Sequence, residues 1–268
     1  MIGAIVGDVA GSRFEWHNVK KRPGNILDSH CFMTDDSLMT IAVAKAIIEN
    51  KDRSQLGKDC IYWMQKIGRP HPRCGWGGRF KDWIYSDDPK PYFSFGNGAA
   101  MRVSAVAWAA QTLDECVSMS RAVTEISHNH PEGIKGAEAI AVATFMALHG
   151  STKDEIKAKM QKYYNLDFTL AAIRPFYSFN ETCMGTVPPA IVAFLEATGF
   201  ESAIRNAISI GGDSDTLAAC TGAIAEAFFG VDEWTRQRLE ERWLRGDLLE
   251  YIKEFEAQYP PKEPSCED

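Results

Sequence analysis

The chain has 268 residues and a formal net charge of -7, with 45% hydrophobic and 24% charged residues. That length and balance allow a full buried core and argue against disorder. The acidic charge argues against a long nucleic acid as partner, because phosphate binding needs a basic surface.

The seven cysteines, Cys31, Cys60, Cys74, Cys116, Cys183, Cys220 and Cys266, include no C-x-x-C pair. Scattered thiols of this kind suit a reducing compartment better than a disulfide framework. Met1 to Asp8 lack the basic start of a signal peptide, and no apolar run is long enough to span a bilayer. A cytoplasmic protein without membrane contact is expected.

Residues 2–16 read as a helix of small and apolar residues, with Gly3, Gly7 and Gly11 spaced by four so that they share one face. Glycine weakens a helix, so three on one face point to the close approach of another backbone. The same face is expected to carry Asp8 and Glu15. A loop rich in turn formers, His17 to Cys31, leads to Thr34-Asp35-Asp36, directly ahead of an apolar helical run from Leu38 to Ile48. Helical periodicity continues through Gln55 to Ile67, Ala99 to Ala110, Leu113 to Ile126, Ile134 to Leu148 and Lys153 to Tyr163. Pro188-Pro189 suit the first turn of a helix, followed by Ala190 to Ala197, Glu201 to Ile208, Leu217 to Phe229, Glu233 to Leu244 and Asp247 to Ala257. Alternating strands are missing. The expectation is an all-α, compact, single-domain orthogonal helical bundle over residues 1–268, with a frayed tail over 260–268.

Two loops stand out. Arg73 to Phe80 mixes glycines with arginines and a tryptophan, and Ser94-Phe95-Gly96-Asn97-Gly98 opens the helix expected from Ala99. Glycines ahead of a helix can let backbone N–H groups approach a phosphate, although a tight capping turn has the same composition. Ser127-His128-Asn129-His130 lies between two helices without a further ligand at zinc spacing, so hydrogen bonding or stacking suits these histidines better than metal binding.

The densest chemistry falls at Gly211-Gly212-Asp213-Ser214-Asp215-Thr216, whose acidic residues sit on the cap and first turn of the next helix. Carboxylates and hydroxyls are hard ligands of the kind magnesium and manganese prefer. Facing Thr34-Asp35-Asp36, they would make a two-metal carboxylate site in a cleft.

In this order, Gly7-Asp8-Val9-Ala10-Gly11-Ser12 with Glu15, Thr34-Asp35-Asp36, Gly96-Asn97-Gly98-Ala99-Ala100-Met101-Arg102, Ser127-His128 and Gly211 to Thr216 resemble the motifs of ADP-ribosylglycohydrolases, from about residue 2 to about residue 230. The resemblance implies an all-α fold and two divalent cations, Mg2+ first and Mn2+ second, on Thr34, Asp35, Asp36, Asp213, Asp215 and Thr216. It implies catalytic roles for Glu15, Asp35 and Asp36. Substrate contacts are implied at Ser94, Phe95, Gly96, Asn97, Gly98, Met101, His128, Gly212 and Ser214. The implied reaction is removal of ADP-ribose from modified proteins by a monomer, with arginine as the leading acceptor. Other linkages and small ADP-ribosyl compounds are alternatives, and a non-catalytic ADP-ribose-binding or structural protein is a further one. Asp213-Ser214-Asp215-Thr216 also spells the D-x-D-x-T of haloacid-dehalogenase phosphatases, but the chain lacks the βα alternation that class needs.

Overall fold

The computed structural model describes residues 1–49 and 52–263. In chain order its helices are α1 (Ile2–Ser12), α2 (Asp35–Glu49), α3 (Leu56–Gly68), α4 (Gly78–Tyr85), α5 (Ser104–Ala109), α6 (Leu113–Glu125), α7 (Pro131–Leu148), α8 (Lys153–Met160), α9 (Leu170–Ile173), α10 (Cys183–Leu195), α11 (Phe200–Ile208), α12 (Ser214–Phe229), α13 (Glu233–Arg242) and α14 (Asp247–Gln258), with a 3-10 turn at Asn97–Ala99. Among the described residues there is no strand, only an isolated antiparallel bridge between Gly96 and Thr182. The fold is all-α and forms one compact domain.

Its centre is the pair α1 and α12. Every residue of α1 is buried, as is all of α12 except Phe228. The glycine face of α1 makes their contact. A Cβ on Gly3 would lie 2.4 Å from the Gly222 carbonyl, one on Gly7 2.0 Å from that of Ala218, and one on Gly11 2.3 Å from that of Ser214. The partner's number falls by four as that of α1 rises by four, so the helices run antiparallel with their backbones in contact. Any side chain at these positions would push the pair apart. Around α12 pack α7, α10 and α11, while α2 joins α1 to α3, α5 and α14.

Four departures from the expected pattern stand out, and hydrogen bonds explain the first two. Helix α1 stops at Ser12, short of residue 16, because the Asn18 amide takes the carbonyls of Phe14 (2.8 Å) and Glu15 (2.7 Å) and turns the chain. Pro188 and Pro189 lie inside α10 instead of opening it. Pro189 cannot donate to the Gly185 carbonyl, and the Tyr177 hydroxyl does so at 3.0 Å. The run expected from Ala99 to Ala110 is a 3-10 turn, a gap and the short α5. Helix α4 falls inside the glycine-rich stretch read as a loop.

Of the segment expected to fray, Lys262 donates to the Ala227 and Phe228 carbonyls at 3.2 and 2.9 Å, and residues 264–268 lie outside the described residues, Cys266 among them. The other cysteines are free. No helix among the described residues is long and apolar enough to cross a membrane.

Candidate active site

The antiparallel α1–α12 pair sets the end of α1 beside the start of α12, and the turn after α1 carries Glu15. Asn18 fixes this junction. Besides holding the Glu15 turn, its amide donates to the Gly212 carbonyl at 3.0 Å and its carbonyl accepts from the Gly212 N–H at 2.5 Å. Gly211 and Gly212 have φ of +71° and +82°, and a Cβ on Gly212 would strike the Tyr177 ring at 2.4 Å. The sharp turn into α12 therefore needs glycine at both positions.

Helix α2 is brought in by Asp8. From the middle of α1 its carboxylate accepts the Thr34 N–H (3.0 Å), the Thr34 hydroxyl (2.6 Å), the Ser37 N–H (3.0 Å) and the Ser37 hydroxyl. Asp8 thus serves the start of α2 from outside, on a face of α1 distinct from its glycines. The two acidic clusters then meet: the Thr216 hydroxyl donates to Asp36 Oδ2 at 3.3 Å, and the Thr34 hydroxyl lies 3.5 Å from the same oxygen.

Carboxylate oxygens of Glu15, Asp213 and Asp215 lie within 4.8 Å of one another, and Asp35 and Asp36 line the same cavity. Burial and then mutual repulsion push the Asp35, Asp36 and Asp215 carboxyls well above their ordinary range. Glu15 is raised to about 7 by partial burial, then by Asp213, Asp8 and Glu181. Asp36 Oδ1 is buried with no hydrogen-bond partner among the described residues. Crowded carboxylates with an unmet oxygen fit a cation of the hard, oxygen-preferring kind, so the residues present suit a divalent metal.

The cavity, about 350 Å³, runs from this acidic end to a second end of opposite character. There Phe80, Tyr92, Phe93, Phe95 and Met101 supply apolar walls, and Arg79, Arg102 and His128 the polar groups. Asn97 joins the two ends: its amide donates to Asp213 Oδ2 at 2.6 Å and to the Thr186 hydroxyl at 3.0 Å.

The sequence-predicted residues Glu15, Asp35, Asp36, Asp213, Asp215, Thr216, Ser94, Phe95, Gly96, Asn97, Gly98, Met101 and His128 all line this cavity. Thr34, Gly212 and Ser214 sit behind its wall, Ser214 fully buried with its hydroxyl directed to the Gly212 carbonyl at 3.3 Å. His130 caps α7, accepting the Glu132 N–H at 3.0 Å. Sequence reasoning missed Asn18, Gly75, Arg79, Phe80, Tyr92 and Glu181. Gly75 carried a signal, since a glycine ahead of a helix so often marks a special backbone. Its φ is +99°, and a Cβ there would lie 3.1 Å from Asp35 Oδ1, so the Arg73–Phe80 stretch lies against the acidic end.

The family model of ADP-ribosylglycohydrolases matches residues 1–264. Human ADP-ribosylhydrolase ARH3 is 24% identical over 87% of this chain and 85% of its own, and the Bos taurus ARH3 is 26% identical over 87% and 84%. ADP-ribosylarginine hydrolase Tri1 of Pseudomonas putida (strain GB-1) is 21% identical over 88% of this chain and 72% of its own. A solved ADP-ribosylglycohydrolase-related protein complex shares the fold, with a TM-score of 0.70 and 23% identity over 96% of this chain and 94% of that one.

Proposed function

The chain belongs to the ADP-ribosylglycohydrolase family, and from that premise we propose that it is a metal-dependent hydrolase that removes ADP-ribose from modified proteins, with arginine as the acceptor. Its class of reaction is hydrolysis of a glycosyl bond, as in the relatives named ADP-ribosylhydrolases. The observation that carries the reading is the polarity of the cavity, with carboxylates at one end and cationic, aromatic groups at the other. A sugar hydroxyl face suits the first end, and a nucleotide with its negative charge suits the second.

Thr34, Asp35, Asp36, Asp213, Asp215 and Thr216 hold two divalent cations in this reading, Mg2+ before Mn2+. Bound there, the cations supply Lewis acidity that orients ribose hydroxyls and makes a water a usable nucleophile near neutral pH. The transition state of ribosyl transfer resembles an oxocarbenium ion, whose positive charge the surrounding carboxylates stabilise. Glu15, raised to about 7 by partial burial and then by its acidic neighbours, positions the sugar and exchanges a proton with the leaving group or the water. Asp35 and Asp36 orient the water as well as serving the metals. The loop Ser94 to Gly98 with Met101 and His128 receives the diphosphate and distal part of the ligand, while Gly212 and Ser214 shape the wall from behind.

Arginine is favoured by what flanks Glu15. Glu181 lines the cavity there, and Trp16 stacks on Phe179 with ring centroids 5.1 Å apart. A carboxylate beside exposed aromatic faces suits a planar cation such as guanidinium. The test is release of ADP-ribose from an arginine-ADP-ribosylated protein with Mg2+, with EDTA, and by Asp213→Ala. Release that needs the metal and is lost in the variant supports the reading. Metal-dependent ADP-ribose binding without release moves the assignment to another linkage, to small ADP-ribosyl compounds, or to a non-catalytic binding protein, in that order.

A further inference from the structure

At the distal end of the cavity, Arg102, Ser127 and His128 form a directed chain. Arg102 is fully buried, with its guanidinium 5.4 Å from the centroid of Phe80. Its Nη2 donates to the Val123 carbonyl at 3.2 Å and to the Ser127 hydroxyl at 2.7 Å. Ser127 is fully buried too, and its oxygen lies 2.8 Å from His128 Nδ1.

The direction of each bond follows from what the groups can do. A guanidinium only donates, so Ser127 Oγ accepts from Arg102. The single hydroxyl proton is then free to be donated to His128 Nδ1. Were Nδ1 to carry a proton instead, Ser127 would accept twice and leave its own proton buried and unused, at a cost comparable to a lost hydrogen bond. Nδ1 is therefore an acceptor, and the ring proton sits on Nε2. The ring cannot turn freely: the backbone N–H of His128 bonds the Thr124 carbonyl at 2.9 Å and fixes the residue's main chain, and the rings of Tyr92 and Phe80 stand 5.5 and 6.0 Å from the imidazole. Nε2 lies 3.3 Å from the point a Cβ of Gly98 would occupy and 3.5 Å from that of Gly96. It faces the Ser94–Gly98 loop.

We propose that Arg102, acting through Ser127, holds His128 as the neutral Nε2–H tautomer, so that this end of the cavity meets its ligand with a fixed hydrogen-bond donor. Arg102 and Ser127 are positioning residues for that donor. The partner is a lone-pair acceptor of the ligand, and the positive charge behind the ring favours an anionic oxygen. Burial, then Arg102 and Arg79, push the His128 imidazole well below its ordinary range, which agrees with a ring that stays neutral. The titratable and charged groups facing it are Arg102, Arg79 and Tyr92. The identity of the ligand rests on the proposed function. The tautomer does not.

The first measurement is therefore made without ligand, on the wild-type protein labelled with 15N-histidine, the His128 signals being identified by their loss in His128→Gln. A pyridine-type Nδ1 and a pyrrole-type Nε2, unchanged from pH 5.5 to 8, are expected. An Nδ1–H tautomer, or an imidazolium at pH 7, overturns the proposal. Ser127→Ala should release the ring into a tautomer mixture and weaken ADP-ribose binding about three- to tenfold, as expected for one net hydrogen bond. An unchanged tautomer in Ser127→Ala removes Arg102 and Ser127 from the role. If the wild type has the expected tautomer but binds no ADP-ribose, the functional reading fails and the lock on His128 stands.

Discussion

The two ends of the cavity are built on different principles. The acidic end stands on helix termini: α12 contributes Asp213 to Thr216, α2 contributes Asp35 and Asp36, and both are pinned to the buried α1 by glycine contacts and by the Asp8 carboxylate. The distal end is made largely by chain segments between helices, residues 92–98 and 127–130, with Arg79 and Phe80 added from the short α4, and the segments are joined by bonds such as Tyr92 N–H to the Ser127 carbonyl (3.1 Å) and Phe93 N–H to Asn129 Oδ1 (2.7 Å). Groups that must hold fixed geometry sit on elements the core cannot release, while recognition is assigned to loops that a rigid scaffold positions.

The sharpest way to break this contrast is Asp36→Asn. At the acidic end, function and stability should oppose each other. Activity is expected to fall on the order of 10³-fold, because an electrostatic ligand at the reacting centre is lost. The metal-free protein should instead melt a few degrees higher at pH 7, since one crowded carboxylate is gone and Asp36 Oδ1 no longer lies unpaired beside its neighbours. A variant that is both inactive and less stable would mean that the carboxylates are not in mutual repulsion.

Glu15→Gln comes next, with kcat reduced about 10²–10³-fold and ADP-ribose affinity retained, because a proton-exchanging group is lost while its shape remains. Lost affinity with unchanged turnover would make Glu15 a binding residue only. Asn18→Ala touches no substrate but frees the Glu15 turn from Gly212, and a displacement of that kind is expected to cost about tenfold to 10²-fold in kcat/KM.

These residues also differ in how readable they were. The acidic end could be inferred because its groups are contiguous in sequence and precede helices, and the α1–α12 contact because Gly3, Gly7 and Gly11 share a face. The end of α1 could not, since Asn18, which takes the nearby Phe14 and Glu15 carbonyls, is itself held by Gly212, far along the chain. The same limit hid Tyr92 and Glu181: they come from separate segments, each with an ordinary local pattern, and only tertiary packing brings them to one cavity. Pro188-Pro189 misled because the hydroxyl that serves the carbonyl freed by Pro189 comes from Tyr177, outside the helix.

Linkage between protons and metal measures the acidic end as a whole. Asp8, Asp35, Asp36 and Asp215 are raised in the folded state above their ordinary value near 3.8. From that value up to the raised folded values the native state binds more protons than the unfolded state. The contribution of these groups to stability is therefore full below about pH 4 and is lost as pH rises through the folded values. The effect of a divalent cation runs the other way, because it replaces those protons. The melting temperature difference between Mg2+ and EDTA should be larger at pH 8 than at pH 5. With metal at a hundred times its dissociation constant the added stability is about 2.7 kcal/mol. A difference that does not change with pH would separate the metal from these carboxylates.

The smallest effect is expected at the opposite end, from Arg79→Ala. Arg79 is exposed on α4, lies 4.7 Å over the Tyr92 ring and donates to the Tyr92 carbonyl. Its charge is therefore at the mouth of the cavity in contact with solvent, unlike that of the buried Arg102. An exposed charge contributes little and is screened by salt, so ADP-ribose binding should weaken only about two- to fivefold, and the difference from wild type should vanish near 1 M salt, where the screening length is about 3 Å. Binding titrations at low and high salt make the comparison. A loss near 10²-fold that survives high salt would make this exposed cation the main anchor of the nucleotide, and the distal end would then depend on one exposed side chain instead of on the buried Arg102, Ser127 and His128.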